Sequence, residues 1–197
     1  MSPADAYFTM TQTVIPRPIC WALSINQDSS FNLAPFSYFN AVASDPPLVI
    51  FSVGLQPDGE YKDTLTNIQE RPDFVVNIAS VDQLPVLNQT SATLPYGQSE
   101  VDASQIELAE MDGFSLPRVA GCKLAMMCER YHIQTIGNRE QSLIFGEIKS
   151  IYVDDRCVEI NDKGRLKIFA DRIKPLARLG AGEYVTFGDI LQAKRPD

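Results

Sequence analysis

Short apolar runs separated by turn-forming residues dominate the chain, and this pattern predicts strands. Residues 19–25 form a first β-rich run, closed by the polar cluster at 26–30, whose side chains favour turns. An extended path resumes over residues 32–42. The Pro46-Pro47 pair then disfavours helix before the apolar run at 48–53, which is typical of a strand buried on both faces.

Further strands are predicted at residues 74–79, 123–134 and 142–153. The last two are long and are joined by a polar loop that contains Gly137-Asn138. Two long neighbouring strands of this kind suggest a hairpin.

Helices are fewer and shorter than strands. After an acidic capping residue, residues 63–70 place Leu65 and Ile68 three positions apart, and Pro72 ends the helix. A second helix is predicted at 81–89, with weaker helical signals at 103–111 and near the C-terminus. Because strands do not alternate regularly with helices, the pattern favours a mainly β antiparallel barrel with peripheral helices over a parallel sheet.

Length and charge narrow the function classes. At roughly 150 residues per domain, 197 residues predict a single domain over residues 1–197. The formal net charge of −8 disfavours a general nucleic-acid binder, which needs surplus Lys and Arg to meet phosphates. No run of about 18 apolar residues could span a membrane, and the start lacks the features of a signal peptide, so we expect a cytoplasmic protein.

The cysteines and the single histidine do not form a recognisable set of metal ligands. Cys20, Cys122, Cys128 and Cys157 include no C-x-x-C pair, and the single His132 cannot complete a usual zinc site. We therefore predict reduced, mostly buried cysteines and no metal.

The segment at residues 32–44 has an unusual polarity. It interleaves Ser37, Tyr38, Asn40 and Ser44 with apolar residues instead of placing polar groups on one face. A flat heteroaromatic ligand could satisfy such side chains in an apolar pocket. The alternative, which composition alone favours, is an irregular edge strand whose Ser and Asn satisfy turns.

A second candidate site is the start of the helix at 63–70. Free backbone N–H groups make a helix N-terminus an anion site, and Lys62 with the Thr64 hydroxyl would suit a phosphate. If Asp63 is the N-cap, however, its carboxylate occupies one amide and repels a phosphate. A plain capped helix is an equally good interpretation.

Several motifs, in order along the chain, resemble the flavin reductase-like family. They are PRPICWALS at 16–24, NLAPFSYFNAVASDPPL at 32–48, KDTLTNI at 62–68, FVVN at 74–77, PRVA at 117–120, and PLARLG at 175–180 with Tyr184. The match covers most of the chain, and its central block is long and specific.

The resemblance implies a homodimer of Greek-key split β-barrels, each binding FMN near the subunit interface. It places Arg17 and Pro18 near the flavin, and Ser52, Lys62 and Thr64 on the phosphate side, with Asp63 turned to cap the helix. Arg178 and Tyr184 are further candidates. The residues expected to line the ring and the ribityl chain are Ser37, Tyr38, Phe39, Asn40, Ala41 and Val42.

The implied activity is that of an oxidoreductase, an NADH- or NADPH-dependent flavin reductase that passes hydride to flavin N5, with a monooxygenase as a possible partner. Such chemistry belongs mainly to the cofactor, so no catalytic residue is assigned. An acidic chain must also gather basic residues to bind anionic nucleotides, and Arg17, Lys62 and Arg178 are expected to form that patch.

Two departures from the family pattern qualify these expectations. Gln56 stands where many relatives carry a basic residue, so one charge on the phosphate side is missing. Residues 137–142 read GNREQS where shorter flavin reductases carry a Gly-Asp-His triplet. An FMN-binding electron carrier without nicotinamide-dependent turnover is therefore the alternative.

Overall fold

Strands make up most of the regular structure in the computed structural model, which describes residues 1–194 and 196. The strands are β1 (Arg17–Pro18), β2 (Cys20–Ile25), β3 (Phe31–Phe36), β4 (Phe39–Ser44), β5 (Pro47–Val53), β6 (Asp73–Ile78), β7 (Leu108–Ala109), β8 (Arg118–Val119), β9 (Leu124–Ile136), β10 (Gln141–Val153), β11 (Val158–Ile160), β12 (Leu166–Ile168), β13 (Leu176–Arg178) and β14 (Tyr184–Thr186). The helices are α1 (Pro3–Thr13), α2 (Asp63–Glu70), α3 (Leu84–Gln89), α4 (Glu100–Ala103) and α5 (Ala170–Ile173), with 3-10 turns at Val81–Gln83 and Asp155–Cys157. A mainly β chain with peripheral helices is thereby confirmed.

The main sheet has seven strands in the order β3-β2-β6-β9-β10-β5-β4. The hairpin of β9 and β10 is confirmed and lies at its centre, paired with β6 on one side and β5 on the other. The sheet curls until Phe36 of β3 and Phe51 of β5 have ring centroids 5.3 Å apart, although these two strands are not hydrogen-bonded neighbours. Between β3 and β5 the barrel closes by side-chain packing and without backbone hydrogen bonds, as expected for a split barrel.

Strand β2 separates two hydrophobic cores. Cys20 and Ala22 face the barrel interior with Phe51, whereas Trp21 and Leu23 pack on the other face. All five side chains are fully buried. Successive residues of a strand point to opposite sides of the sheet, and both sides of β2 are covered by a hydrophobic core. The second core carries α3 and the loops that follow it, and these loops form one wall of the site described below.

The structure differs from the sequence-based prediction in two places. Helix α1 was not predicted, since its side chains are mostly exposed and Thr11 is its only buried residue. The helix predicted at 103–111 is wrong: α4 ends at Ala103, Gln105 adopts a left-handed backbone with φ of 51°, and β7 pairs with β8. Packing against the core overrides the local helical signal here.

Cys20, Cys122, Cys128 and Cys157 are free and buried, as predicted. Burial raises the pKa of Cys122 and of Cys128 to about 12. In the part of the chain that the structure describes, no helix is both long and apolar enough to cross a bilayer, and no three His, Cys, Asp or Glu side chains gather into a metal-binding group.

Candidate functional site

A cavity of about 310 Å³ opens beside β3, between the start of α2, the segment that follows α3, and the strands β13 and β14. This volume lies at the lower end of the range for small-molecule sites. Six of the residues predicted from the sequence line it: Ser37, Lys62, Asp63, Thr64, Arg178 and Tyr184. The two candidate motifs, the polar strand and the Lys-Asp-Thr helix start, therefore meet in one cavity.

Lys62 places a cation on the cavity wall. It is the N-cap residue of α2, is partly buried, and its Nζ lies 5.8 Å from the centroid of the Phe36 ring. Burial lowers the pKa of Lys62. No hydrogen-bond acceptor or carboxylate among residues 1–194 and 196 pairs with its ammonium group. A partly desolvated cation without a counter-ion favours an anionic ligand.

The start of α2 supplies further donors. The amides of Leu65 and Thr66 donate to the carbonyl of Lys62, which leaves the amides of Asp63 and Thr64 without a backbone acceptor. The predicted capping role of Asp63 is wrong: its Oδ2 accepts a hydrogen bond from the Gly97 amide at 2.8 Å and so holds the neighbouring loop. The carboxylate is thus directed away from the helix amides, which remain able to bind an anion.

A buried polar network forms a second wall. The Thr64 hydroxyl donates to Asn32 Oδ1 at 2.7 Å, and Glu100 Oε2 accepts from Asn32 Nδ2 at 2.9 Å and from the Leu33 amide at 3.0 Å. Asn32 and Glu100 also line the cavity. Burial raises the pKa of Glu100, and the two N–H donors oppose that rise. A carboxylate and a hydroxyl therefore face the ligand space from the same side.

A third wall carries an aromatic ring and another cation. Arg178 lies opposite Tyr184 in the β13–β14 ladder, and its guanidinium carbon is 4.3 Å from the centroid of the Tyr184 ring. The Tyr184 hydroxyl donates to Asn88 Oδ1 at 3.3 Å. Stacking on the ring orients the guanidinium at the cavity rim.

Arg17, the third member of the predicted basic patch, does not line the cavity. Its Nη1 donates to the carbonyls of Thr11 and Val14 at 2.6 and 2.7 Å, and its Nη2 donates to that of Leu179 at 2.8 Å. Its Nε reaches the Ser37 hydroxyl at 3.4 Å. The buried guanidinium thus ties the end of α1 to the end of β13, and among the described residues Ser37 is the one cavity residue to which it donates a hydrogen bond.

The structure separates the remaining predicted residues from the cavity. Asn40, Ala41 and Val42 are exposed on β4, which is an edge strand of the sheet. The Ser52 hydroxyl accepts from Gln141 Nε2 at 2.7 Å, away from the cavity lining. Pro18, Tyr38 and Phe39 also lie outside the lining of this single chain. Their role in cofactor binding stays a prediction.

Sequence reasoning missed much of the wall that follows α3. Several cavity residues belong to no recognisable sequence motif. They are Tyr7, Asn88, Thr90, Glu100 and the segment 91–94. The Ser99-Glu100 pair was the one available signal, because Ser99 caps α4 with its hydroxyl. A Glu in the first turn of a short helix normally faces solvent, so burial of this carboxylate has no local signature.

Comparison with known proteins gives consistent results. A family model described as "Flavin reductase like domain" matches residues 10–167. The Bacillus subtilis protein YwrF is 30% identical over 200 residues, which cover 100% of this chain and 96% of that relative. Nitrilotriacetate monooxygenase component B from Bacillus cereus superposes with a TM-score of 0.88 at 31% identity, covering 98% of this chain and 95% of the other. The 2-nitrobenzoate 2-nitroreductase NbaA from Pseudomonas fluorescens gives 0.86 at 30% identity, covering 100% and 93%.

Proposed function

This chain belongs to the flavin reductase-like domain family, and from that premise we propose that it is an FMN-binding oxidoreductase, an NAD(P)H-dependent flavin reductase. The observation that carries the proposal is the unpaired Lys62 cation beside the free amides of α2 in a cavity of suitable size. Two similar structures are described as a monooxygenase component and a nitroreductase, and these descriptions support a redox role.

The residues of the cavity fit FMN. Lys62 and the amides of Asp63 and Thr64 would hold the phosphate, since a helix N-terminus and a nearby ammonium are both complementary to a dianion. Arg178, stacked on Tyr184, would provide a second positive charge at the rim. Gln56 lines the cavity as a neutral residue, so phosphate binding depends more heavily on Lys62.

Bound FMN would supply a ring that accepts a hydride at N5, and the protein binds and orients that ring. Hydride transfer between two stacked rings needs no general acid or nucleophile from the chain. His132, the one histidine in the sequence, lies on β9 outside the cavity lining. We accordingly assign no side chain as acid, base or nucleophile.

The proposed assembly is a homodimer, with a monooxygenase as the recipient of reduced flavin. Strand β4 leaves one edge unpaired and exposes Val42 by 49% of its surface. The residues of β4 that resemble flavin-binding positions would complete the site at such an interface. The monooxygenase is proposed because component B of such an enzyme is among the similar structures.

The visible spectrum tests the proposed function. Purified protein titrated with FMN is expected to bind it and shift its absorption near 450 nm, because the cavity offers a counter-ion for the phosphate. Anaerobic addition of NADH or NADPH is then expected to bleach that band. Absence of any FMN binding would refute the proposal.

The β9–β10 turn supports the electron carrier as a second candidate. Residues 137–140 at this turn contain no histidine, and the residue facing Phe145 across the ladder is His132, on the exposed part of β9. A carrier would hold FMN without reacting directly with a nicotinamide. Bleaching by a reduced protein donor, with no response to NADH or NADPH, would favour this function over the reductase.

Mass measurement in solution tests the dimer. We expect about twice the 21.9 kDa of one chain, and dissociation when Val42→Asp introduces a charge on the exposed edge. Ile160→Asp is the control, because Ile160 is 75% exposed on the separate β11–β12 hairpin. FMN should increase the dimer fraction if the site is shared between subunits. A single-chain mass with and without FMN would contradict the assembly.

A further inference from the structure

Glu100 is the buried acid of the cavity, and the proposed role of Lys62 does not account for it. The residue is 8% exposed, lies at the start of α4 and lines the same cavity. Its Oε2 accepts two N–H donors, while its Oε1 has no hydrogen-bond partner within the described residues. Oε1 is not enclosed, because Arg118 Nε is the one fully buried side-chain polar atom without a partner among the described residues. Oε1 is therefore open to the cavity that Glu100 lines, and it can accept a hydrogen bond from a group that enters there.

The chemistry of the network fixes the direction of each hydrogen bond. A carboxylate only accepts, so Asn32 must direct its amide nitrogen towards Glu100 and its amide oxygen towards Thr64. The Thr64 hydroxyl consequently donates its one proton in the hydrogen bond to Asn32 Oδ1. What Thr64 and Glu100 present to the cavity is a set of acceptor lone pairs.

A phosphate cannot be the partner of this wall. Phosphate oxygens are acceptors and carry negative charge, whereas Thr64 has no free proton to donate and Glu100 repels an anion. Asp63 also lies close enough to Glu100 to contribute to its raised pKa, which adds to the negative character of this side. The matching ligand group is one that donates hydrogen bonds and carries no negative charge.

We infer that Glu100, aided by Thr64, determines specificity by accepting hydrogen bonds from the hydroxyl groups of a sugar-alcohol chain, the ribityl chain of the flavin. This inference rests on the proposed function and extends it. It separates two parts of the cavity: Lys62 and the amides of α2 recognise the phosphate, and the acceptor wall of Asn32, Thr64 and Glu100 recognises the chain between phosphate and ring. It also moves the Thr64 hydroxyl, but not the Thr64 amide, from the phosphate side, where the resemblance placed it, to the hydroxyl side.

Glu100→Gln is the test variant. The carbonyl oxygen of Gln can still accept from Asn32 and from the Leu33 amide, so the network that holds the fold is retained. The atom that faces the cavity changes from an acceptor to an N–H donor. Asp102→Asn is the matched control, because it removes the same charge from an exposed position on the same helix α4.

The probes are riboflavin, which has the hydroxyl chain but no phosphate, and lumiflavin, which has a methyl group in place of that chain. We expect Glu100→Gln to weaken riboflavin binding about ten-fold or more, since a hydrogen bond from a hydroxyl group to a charged carboxylate is replaced by, at most, a weaker one between neutral groups. Lumiflavin affinity should not change, and this also reports that the site is still folded. Both affinities should be unchanged in Asp102→Asn.

Two results would overturn the inference: unchanged riboflavin affinity in Glu100→Gln, or equal losses for riboflavin and lumiflavin. Either would show that the carboxylate does not read the hydroxyl chain. Failure of the unmodified protein to bind riboflavin and FMN would instead refute the proposed function, so the two failures are distinguishable.

Discussion

Arg17→Met is expected to lower the free energy of unfolding by about 2–4 kcal/mol, because three buried or half-buried carbonyls lose their charged donor. These are the carbonyls of Thr11, Val14 and Leu179, which Arg17 joins across α1 and the end of β13. Met replaces the aliphatic stem of Arg with an unbranched apolar chain of similar reach, so the loss comes chiefly from the guanidinium. Denaturant unfolding followed by circular dichroism measures it.

The control for Arg17→Met is Arg139→Met, which removes the same charge from the exposed β9–β10 turn. We expect this control to stay within about 0.5 kcal/mol of the unmodified protein. If Arg17→Met unfolded normally but lost FMN affinity, Arg17 would belong to the cofactor site, as the resemblance implies. The experiment therefore decides between the structural and the cofactor-binding role of this residue.

Lys62→Met is expected to weaken FMN binding about 10- to 100-fold, which corresponds to the loss of about 1.5–3 kcal/mol from one charge-assisted contact. Riboflavin binding should change little, because riboflavin has no phosphate for the ammonium to meet. Fluorescence titration with both ligands gives the ratio directly. Lys163→Met, on the exposed β11–β12 turn, controls for the change in net charge.

The stability of Lys62→Met should rise, in the opposite direction to its FMN affinity. Burial lowers the pKa of Lys62 in the folded state, so the unfolded chain holds this proton more tightly. The charged form therefore opposes folding below the folded-state pKa, and the opposition fades as pH rises towards the unfolded value. Equal loss of riboflavin and FMN affinity in this variant would place the phosphate elsewhere.

The parts of the fold that the sequence predicts well are those with strong local patterns. Helix α2 spans the predicted residues because Leu65 and Ile68 face the barrel interior and Pro72 prevents continuation, although its N-cap is Lys62 and not Asp63. The β9–β10 hairpin follows from two long apolar strands around Gly137. Helix α1 has no comparable apolar face. Its end is held by hydrogen bonds from Arg17, and the periodicity of the sequence does not reveal such contacts.

Prediction of the site has a similar limit. The sequence identifies Lys62 and Thr64 because a helix start with a basic residue has a local chemical meaning. It could not assign the proton of Thr64, which depends on Asn32 and Glu100, residues brought together from three separate elements. It also placed Asp63 as the cap, although Gly97, which lies far along the chain, binds that carboxylate. Contacts of this kind arise from tertiary structure and leave no trace in spacing.

The position of the β9–β10 hairpin at the centre of the sheet has a consequence for biosynthesis. The strands made first form two separate groups, β3-β2-β6 and β5-β4, and only this late hairpin joins them. A two-stranded group alone is marginally stable in water. During translation at roughly 5–20 residues per second, the β5-β4 pair therefore has no third strand to hydrogen-bond with until β10 leaves the ribosome. The main sheet is completed only after β10 has emerged, and the cavity that lies between β3 and the still later β13–β14 is assembled after the sheet.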